Sequence, residues 1–233
     1  MVMLIAAGLV FLAIHLLVSG TRVRDAITGT IGEGPYMGLF SLTSLVTIVW
    51  LVSSYNAAAS SSENRVLYDL GRGVRDLGIP VIAIAFLLGV QGLFVANPTA
   101  VKQGAAAAKE SNIKGVLRIT RHPFLWGVAL WSAFHMLANG DLASVIFFGS
   151  FLAVAFLGTF SIDAKRKRKL GSVWDSFAAK TSNVPFAAVA GGRSSLHLSE
   201  SLGWRFWLAA AAFAAILFAH TTLFHASPFP SAS

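Results

Sequence analysis

The sequence predicts an all-α integral membrane protein, a bundle of about six transmembrane helices with an amphipathic helix on the cytoplasmic side. Three observations predict it. Of 233 residues, 55% are hydrophobic and only 12% are charged. Several apolar runs reach roughly 17–20 residues, enough to cross a bilayer core of about 30 Å. Basic residues collect in alternate loops between those runs, the pattern that a polytopic chain shows across an inner membrane.

The first run, Val2–Val18, has no basic stretch ahead of it and no A-x-A site, so it is expected to be a retained span and not a signal peptide. Further spans are expected near Tyr36–Tyr55, Leu77–Ala96, Pro123–Ala138, Leu142–Ser161 and Trp204–Phe224. Asn139–Asp141 is too short to do more than turn the chain, so the fourth and fifth spans form a helical hairpin. Ser60–Ser62 with Glu63 and Asn64 marks a polar loop, and Ala105–Lys109 suggests a short helical turn. No internal repeat is visible. Residues 1–225 are expected to make one polytopic domain, followed by a disordered tail, 226–233.

Charge sets the expected orientation. The loops after spans one, three and five carry about fifteen of the eighteen basic residues, and Arg65, Arg72 and Arg75 follow span two. The positive-inside rule places the basic loops in the cytoplasm and both termini outside, in a bacterial inner membrane. The same rule accounts for the net charge of +8, and no nucleic-acid recognition module is present. After Lys165–Lys169, the residues Leu170, Val173, Trp174, Phe177 and Ala178 fall on one helical face. They predict a basic amphipathic helix that lies on the inner membrane surface or caps the bundle.

Cysteine is absent, which excludes thiolate metal sites, iron–sulfur clusters, disulfides and thiol nucleophiles. No G-x-S-x-G, P-loop, H-E-x-x-H or Rossmann fingerprint is present. The candidate chemistry is therefore imidazole set among apolar spans, where an ionisable group is costly and marks function. His15 lies near the inner end of span one; it reads either as an interfacial imidazole or as an axial ligand of a haem iron. Arg118, Arg121 and His122 open span four, where Pro123 suits a helix N-terminus and the cations suit an anionic group. A plain cytoplasmic anchor is the competing reading. His135, deeper in that span, reads as a haem ligand, a proton-handling group, or a ring bonded to a neighbouring carbonyl or to Ser132. His122 and His135 cannot share one iron, because thirteen residues advance a helix by about 20 Å. His197, His220 and His225 carry weaker signals.

Taken together, HLLVSGTRVR, GLFSLTSLV, GVLRITRHPFLWGVALWSAFHMLANGD and the D-x-K-R, W-D-S-F and K-T-S-N-V-P-F blocks resemble the NnrU family, which includes 15-cis-zeta-carotene isomerases. The resemblance runs from about His15 to Phe186. It implies haem b held by His15 and His135 and a redox-gated cis–trans isomerisation of a carotenoid-like polyene. The chain departs from the isomerases in having Ser132 where they have a cysteine, and Val154 or Ala155 near another histidine position. On the depth of the spans, His15 with His122 is the rival ligand pair.

The R-H-P block also resembles the isoprenylcysteine and phosphatidylethanolamine methyltransferases. That likeness implies S-adenosylmethionine at an inner-face pocket built from Arg121, His122 and the amphipathic helix. A non-enzymatic accessory role in nitrite or nitric oxide metabolism is the third expectation. In every case the partner is the lipid bilayer, and for the isomerase also an apolar small molecule.

Overall fold

The computed structural model describes residues 1–100, 103 and 112–229. The helical turn expected at Ala105–Lys109 and the end of the tail lie outside the described residues. The chain is all-helical: α1 (Val2–Leu12), a π-helical turn (Ala13–Val18), α2 (Arg22–Ile31), α3 (Glu33–Ala59), α4 (Arg72–Asp76), α5 (Gly78–Phe94), α6 (Val116–Ile119), α7 (Pro123–Asn139), α8 (Leu142–Leu170), α9 (Ser172–Lys180), α10 (Ala187–Ala190), α11 (Leu198–Ser201) and α12 (Trp204–Phe224).

A helix stands at each of the six apolar runs. Three of them, α3, α8 and α12, are long and apolar enough to cross a membrane, and Val2–Val18 with α2 forms a fourth candidate bent by 76°. Helix α5 and helix α7 have 17 residues each, about 26 Å of rise against a core of roughly 30 Å. The protein is thus a multi-pass membrane protein. On α3, Leu39, Leu42, Val46 and Val49 form a stripe at helical spacing and are each more than half exposed, as a lipid-facing surface requires.

Two elements differ from expectation. Helix α2 was not legible as a helix, since Thr28, Thr30 and three β-branched apolar residues give it weak propensity. It starts because Thr21 caps it, its Oγ1 accepting from the Val23 N–H at 3.2 Å. The amphipathic helix begins at Ser172 and not at Lys165. Lys165–Leu170 prolongs α8, and Gly171 breaks the chain with φ of 54°. The apolar face of α9 is covered by protein: Trp174 and Phe177 are buried against Ile113, Leu170 and Ala178.

The chain forms two compact units, one of residues 1–71 and 132–161, the other of residues 72–131 and 162–233. In the first, Leu4, Ala7 and Phe11 form the buried face of α1. Gly8 lies so close to Ser150 that an added Cβ would stand 2.7 Å from its Oγ. Gly8 with Ser150, Phe11 with Phe151 and Gly20 with Ser161 keep one register, so α1 and the start of α8 run parallel. The hairpin turn is locked from both sides. Gly140 takes φ of 67°, its carbonyl accepts from the Leu67 N–H at 2.9 Å, and Tyr68 Oη donates to the Met136 carbonyl at 2.7 Å. Asp141 then caps α8 by accepting from the Ser144 N–H.

In the second unit, small residues set the distance between α5 and the start of α7. A Cβ on Gly127 would meet the Ala85 carbonyl oxygen and the Gly89 nitrogen at 2.7 Å, and one on Gly92 would meet the Phe124 nitrogen at 2.5 Å. Close approach through small residues is the ordinary way for helices to pack where lipid removes the hydrophobic drive.

Candidate functional site

The second unit assembles a polar cluster at the start of α7. The R-H-P block is folded against the K-T-S-N-V-P-F block by main-chain bonds: the Arg121 N–H donates to the Ser182 carbonyl and the Phe186 N–H to the Ile119 carbonyl, each at 2.8 Å. Asn97 and Thr99 donate to the Arg121 carbonyl. These contacts fix the backbone, so the side chains of Arg121 and His122 reach one carboxylate, that of Asp163 on α8.

Arg121 Nε donates to Asp163 at 2.9 Å and 3.1 Å, and Arg121 Nη2 makes a further short contact with the same carboxylate. His122 Nε2 lies 2.7 Å from Asp163 Oδ1, and Asn183 Nδ2 donates to Oδ2 at 3.3 Å. The Arg121 guanidinium lies over the Trp174 ring at 5.7 Å. His122 is 1% exposed. Burial holds its imidazole below the ordinary value, against the opposing pull of the Asp163 hydrogen bond. With Nε2–H given to the carboxylate, Nδ1 presents a lone pair, and it has no hydrogen-bond partner among the described residues.

Arg118 is not part of this cluster. It pairs with Glu200 through Nε at 2.7 Å and Nη2 at 3.0 Å, and Glu200 also accepts from the Gly115 N–H. The Arg118 hydrogen bond pulls the Glu200 carboxyl down to about 2, and Glu200 in turn raises the Arg118 guanidinium.

His15 and His135 both lie in the first unit. His15 stands on the π-helical turn, where the Ser19 N–H reaches back five residues to the Ile14 carbonyl. Such wide turns are rare and gather at functional sites. His15 Nδ1 is 2.8 Å from the Phe11 carbonyl oxygen, which can only accept, so Nδ1 carries the proton. Nε2 is left as the acceptor and meets the Ser44 hydroxyl at 3.3 Å. Phe11 and Phe40 lie 4.4 Å and 5.4 Å from the His15 ring. His135 stacks on Phe148 at 4.9 Å, and Phe148, Phe147, Phe151 and Phe11 touch in sequence, ending at the ring beside His15. The parallel register of α1 and α8 sets His15 about eight residues, roughly 12 Å of rise, beyond the level of Phe148.

A family model described as "NnrU protein" matches residues 3–228. This chain belongs to the NnrU family. Two curated relatives are similar over a shorter stretch. The chloroplastic 15-cis-zeta-carotene isomerase of Arabidopsis thaliana is 32% identical over 82 residues, 35% of this chain and 22% of its own length. The maize (Zea mays) protein of the same name is 30% identical over 82 residues, with the same coverage. The chain thus matches about a fifth of the length of these relatives. No solved structure matches.

In this NnrU chain the sequence shows the five candidate side chains as residue types but not their partners. Asp163 and Asn183 stood inside the quoted blocks D-x-K-R and K-T-S-N-V-P-F, yet nothing in a string shows that both meet His122. Ser44 and Tyr36 carried no signal at all. Among the described residues no group of three or more histidine, aspartate or glutamate side chains is placed to hold a metal ion.

Proposed function

We propose that this NnrU-family protein binds haem b through His15 and His135 and acts as a cis–trans isomerase of a carotenoid-like polyene, in a bacterial inner membrane with its basic loops in the cytoplasm. The observation that carries the reading is the state of His15. Its Nδ1 is oriented by a backbone carbonyl, the second-sphere contact that iron- and zinc-ligating histidines use. Its Nε2 lone pair faces a single serine hydroxyl, among phenylalanine rings that suit a flat macrocycle. The donor chemistry of His15 supports the reading; His135 lies about 12 Å of rise from it, so binding by both rings requires them to close on one iron.

Haem, when bound, would be held by imidazole and would supply a redox-active iron. The chain's own contribution is to hold and to exclude water. Phe11 keeps His15 in one tautomer through its carbonyl and covers it with its ring. Phe148 sets the plane of His135 by stacking. Phe147 and Phe151 continue the apolar wall between them, the surroundings a polyene needs. The 82-residue likeness to the plant isomerases supports the substrate class.

Purification in detergent after expression with ample haem tests the reading. The expected preparation is red, with a Soret band that moves on dithionite reduction and is weakened by His15→Ala or His135→Ala. A colourless wild-type preparation would remove it.

A second reading draws on the buried, unpartnered Nδ1 of His122 beside Arg121 and Asp163, where a methyltransferase-like chain would hold S-adenosylmethionine. It expects heat on titration with that cofactor, abolished by His122→Ala. No heat with either the cofactor or its demethylated product counts against it.

A further inference from the structure

Tyr36, in the first turn of α3, is 5% exposed, and its Oη has no hydrogen-bond partner among the described residues. Buried hydroxyls without a partner are uncommon in folded proteins. Its ring stacks on Phe40 at 6.0 Å, and Phe40 in turn stands edge-on to His15 at 5.4 Å. The Arg24 guanidinium lies over the Tyr36 ring, 5.3 Å from its centroid. Arg24 is 11% exposed and is held by Glu33 at 2.7 Å, with Asp25 at 3.7 Å. One phenylalanine therefore separates an acceptor nitrogen of imidazole from an unused phenolic donor, and a cation backs that donor.

We infer that Tyr36 is the polar anchor of the group bound at His15, its Oη donating to a propionate carboxylate of the porphyrin while Arg24 offsets the negative charge. The inference rests on the haem reading above. A porphyrin is apolar except along the edge that bears its two carboxylates, so a site for it needs an acceptor-seeking donor on one side. Tyr36 supplies that donor at the end of the unit where α2 and α3 meet. The two carboxylates on Arg24 keep it in place and moderate its charge, which leaves the phenol as the specific contact.

The test compares haem b with its dimethyl ester in wild-type protein and in Tyr36→Phe, which retains the ring on Phe40 and under Arg24. Haem loss to an excess of an apo-globin scavenger is the readout, with the helical circular dichroism as a check on folding. Haem b should leave Tyr36→Phe roughly tenfold or more faster than wild type, the size expected for one hydrogen bond to a charged acceptor. The dimethyl ester should leave both proteins at the same rate. Arg24→Gln should speed the loss of haem b less than Tyr36→Phe. Equal loss of haem b from wild type and Tyr36→Phe overturns the inference while leaving His15 as a ligand. Wild-type protein that takes up neither porphyrin overturns the haem reading and this inference together.

Discussion

His122 gives its Nε2 to a carboxylate that also holds Arg121 and Asn183, while His15 gives its Nδ1 to a main-chain carbonyl and leaves its Nε2 against one serine hydroxyl. The first ring is sealed and charge-compensated; the second is half-buried and lightly held. Both stand at the end of an apolar run, and by residue type they look alike. Their partners teach the difference. Each ring is oriented through one nitrogen; the other nitrogen has no partner among the described residues in His122 and meets one serine hydroxyl in His15.

The comparison breaks first at Asp163. Asp163→Leu leaves the Arg121 guanidinium without its carboxylate and should cost about 3 kcal/mol, the low end for breaking a buried pair because both side chains keep some exposure. Thermal unfolding in detergent measures it. A loss below about 1 kcal/mol would mean that the network is only a surface pair. His15→Leu, by contrast, should change the stability of haem-free protein by less than about 2 kcal/mol, since it removes two neutral hydrogen bonds and no charge partner.

Packing in the second unit offers the next test. Gly127→Val places a branched side chain where even a Cβ would lie 2.7 Å from the Gly89 nitrogen. Overpacking of that kind costs about 1–3 kcal/mol, and it should lower the unfolding temperature without moving any spectral signature of His15. A stable Gly127→Val protein would show that α5 and α7 part easily.

The smallest effect belongs to Glu200. Its folded value of about 2 lies below the ordinary 4.5, so its contribution is present above pH 4.5 and is lost as pH falls through about 2. The sign follows from linkage: the unfolded chain binds the proton first. Because Glu200 sits at the surface, the change should be local, read as faster amide exchange at Gly115, and absent in Glu200→Gln.

These outcomes also explain how far the sequence could be read. The six apolar runs, the hairpin at Asn139–Asp141 and the family blocks were legible because they are local: length, hydropathy and turn chemistry suffice. The break at Gly171 was not, since the apolar spacing from Leu170 to Ala178 continues across it and only the positive φ ends α8. Helix α2 was hidden by poor helix formers and rests on a cap. The network at Asp163 joins residues about forty positions apart, and no periodicity carries such a contact. The unpartnered Tyr36 hydroxyl is a property of packing alone. Chemistry was thus visible as residue types, while the partners that orient each ring appeared only in the fold.

The most direct test of that distinction is the visible spectrum of wild type, His15→Ala and His122→Ala, each purified after expression with ample haem. The account predicts a dithionite-sensitive Soret band in wild type, retained in whatever His122→Ala folds and lost or strongly weakened in His15→Ala. A band that survives in His15→Ala and vanishes in well-folded His122→Ala would contradict it.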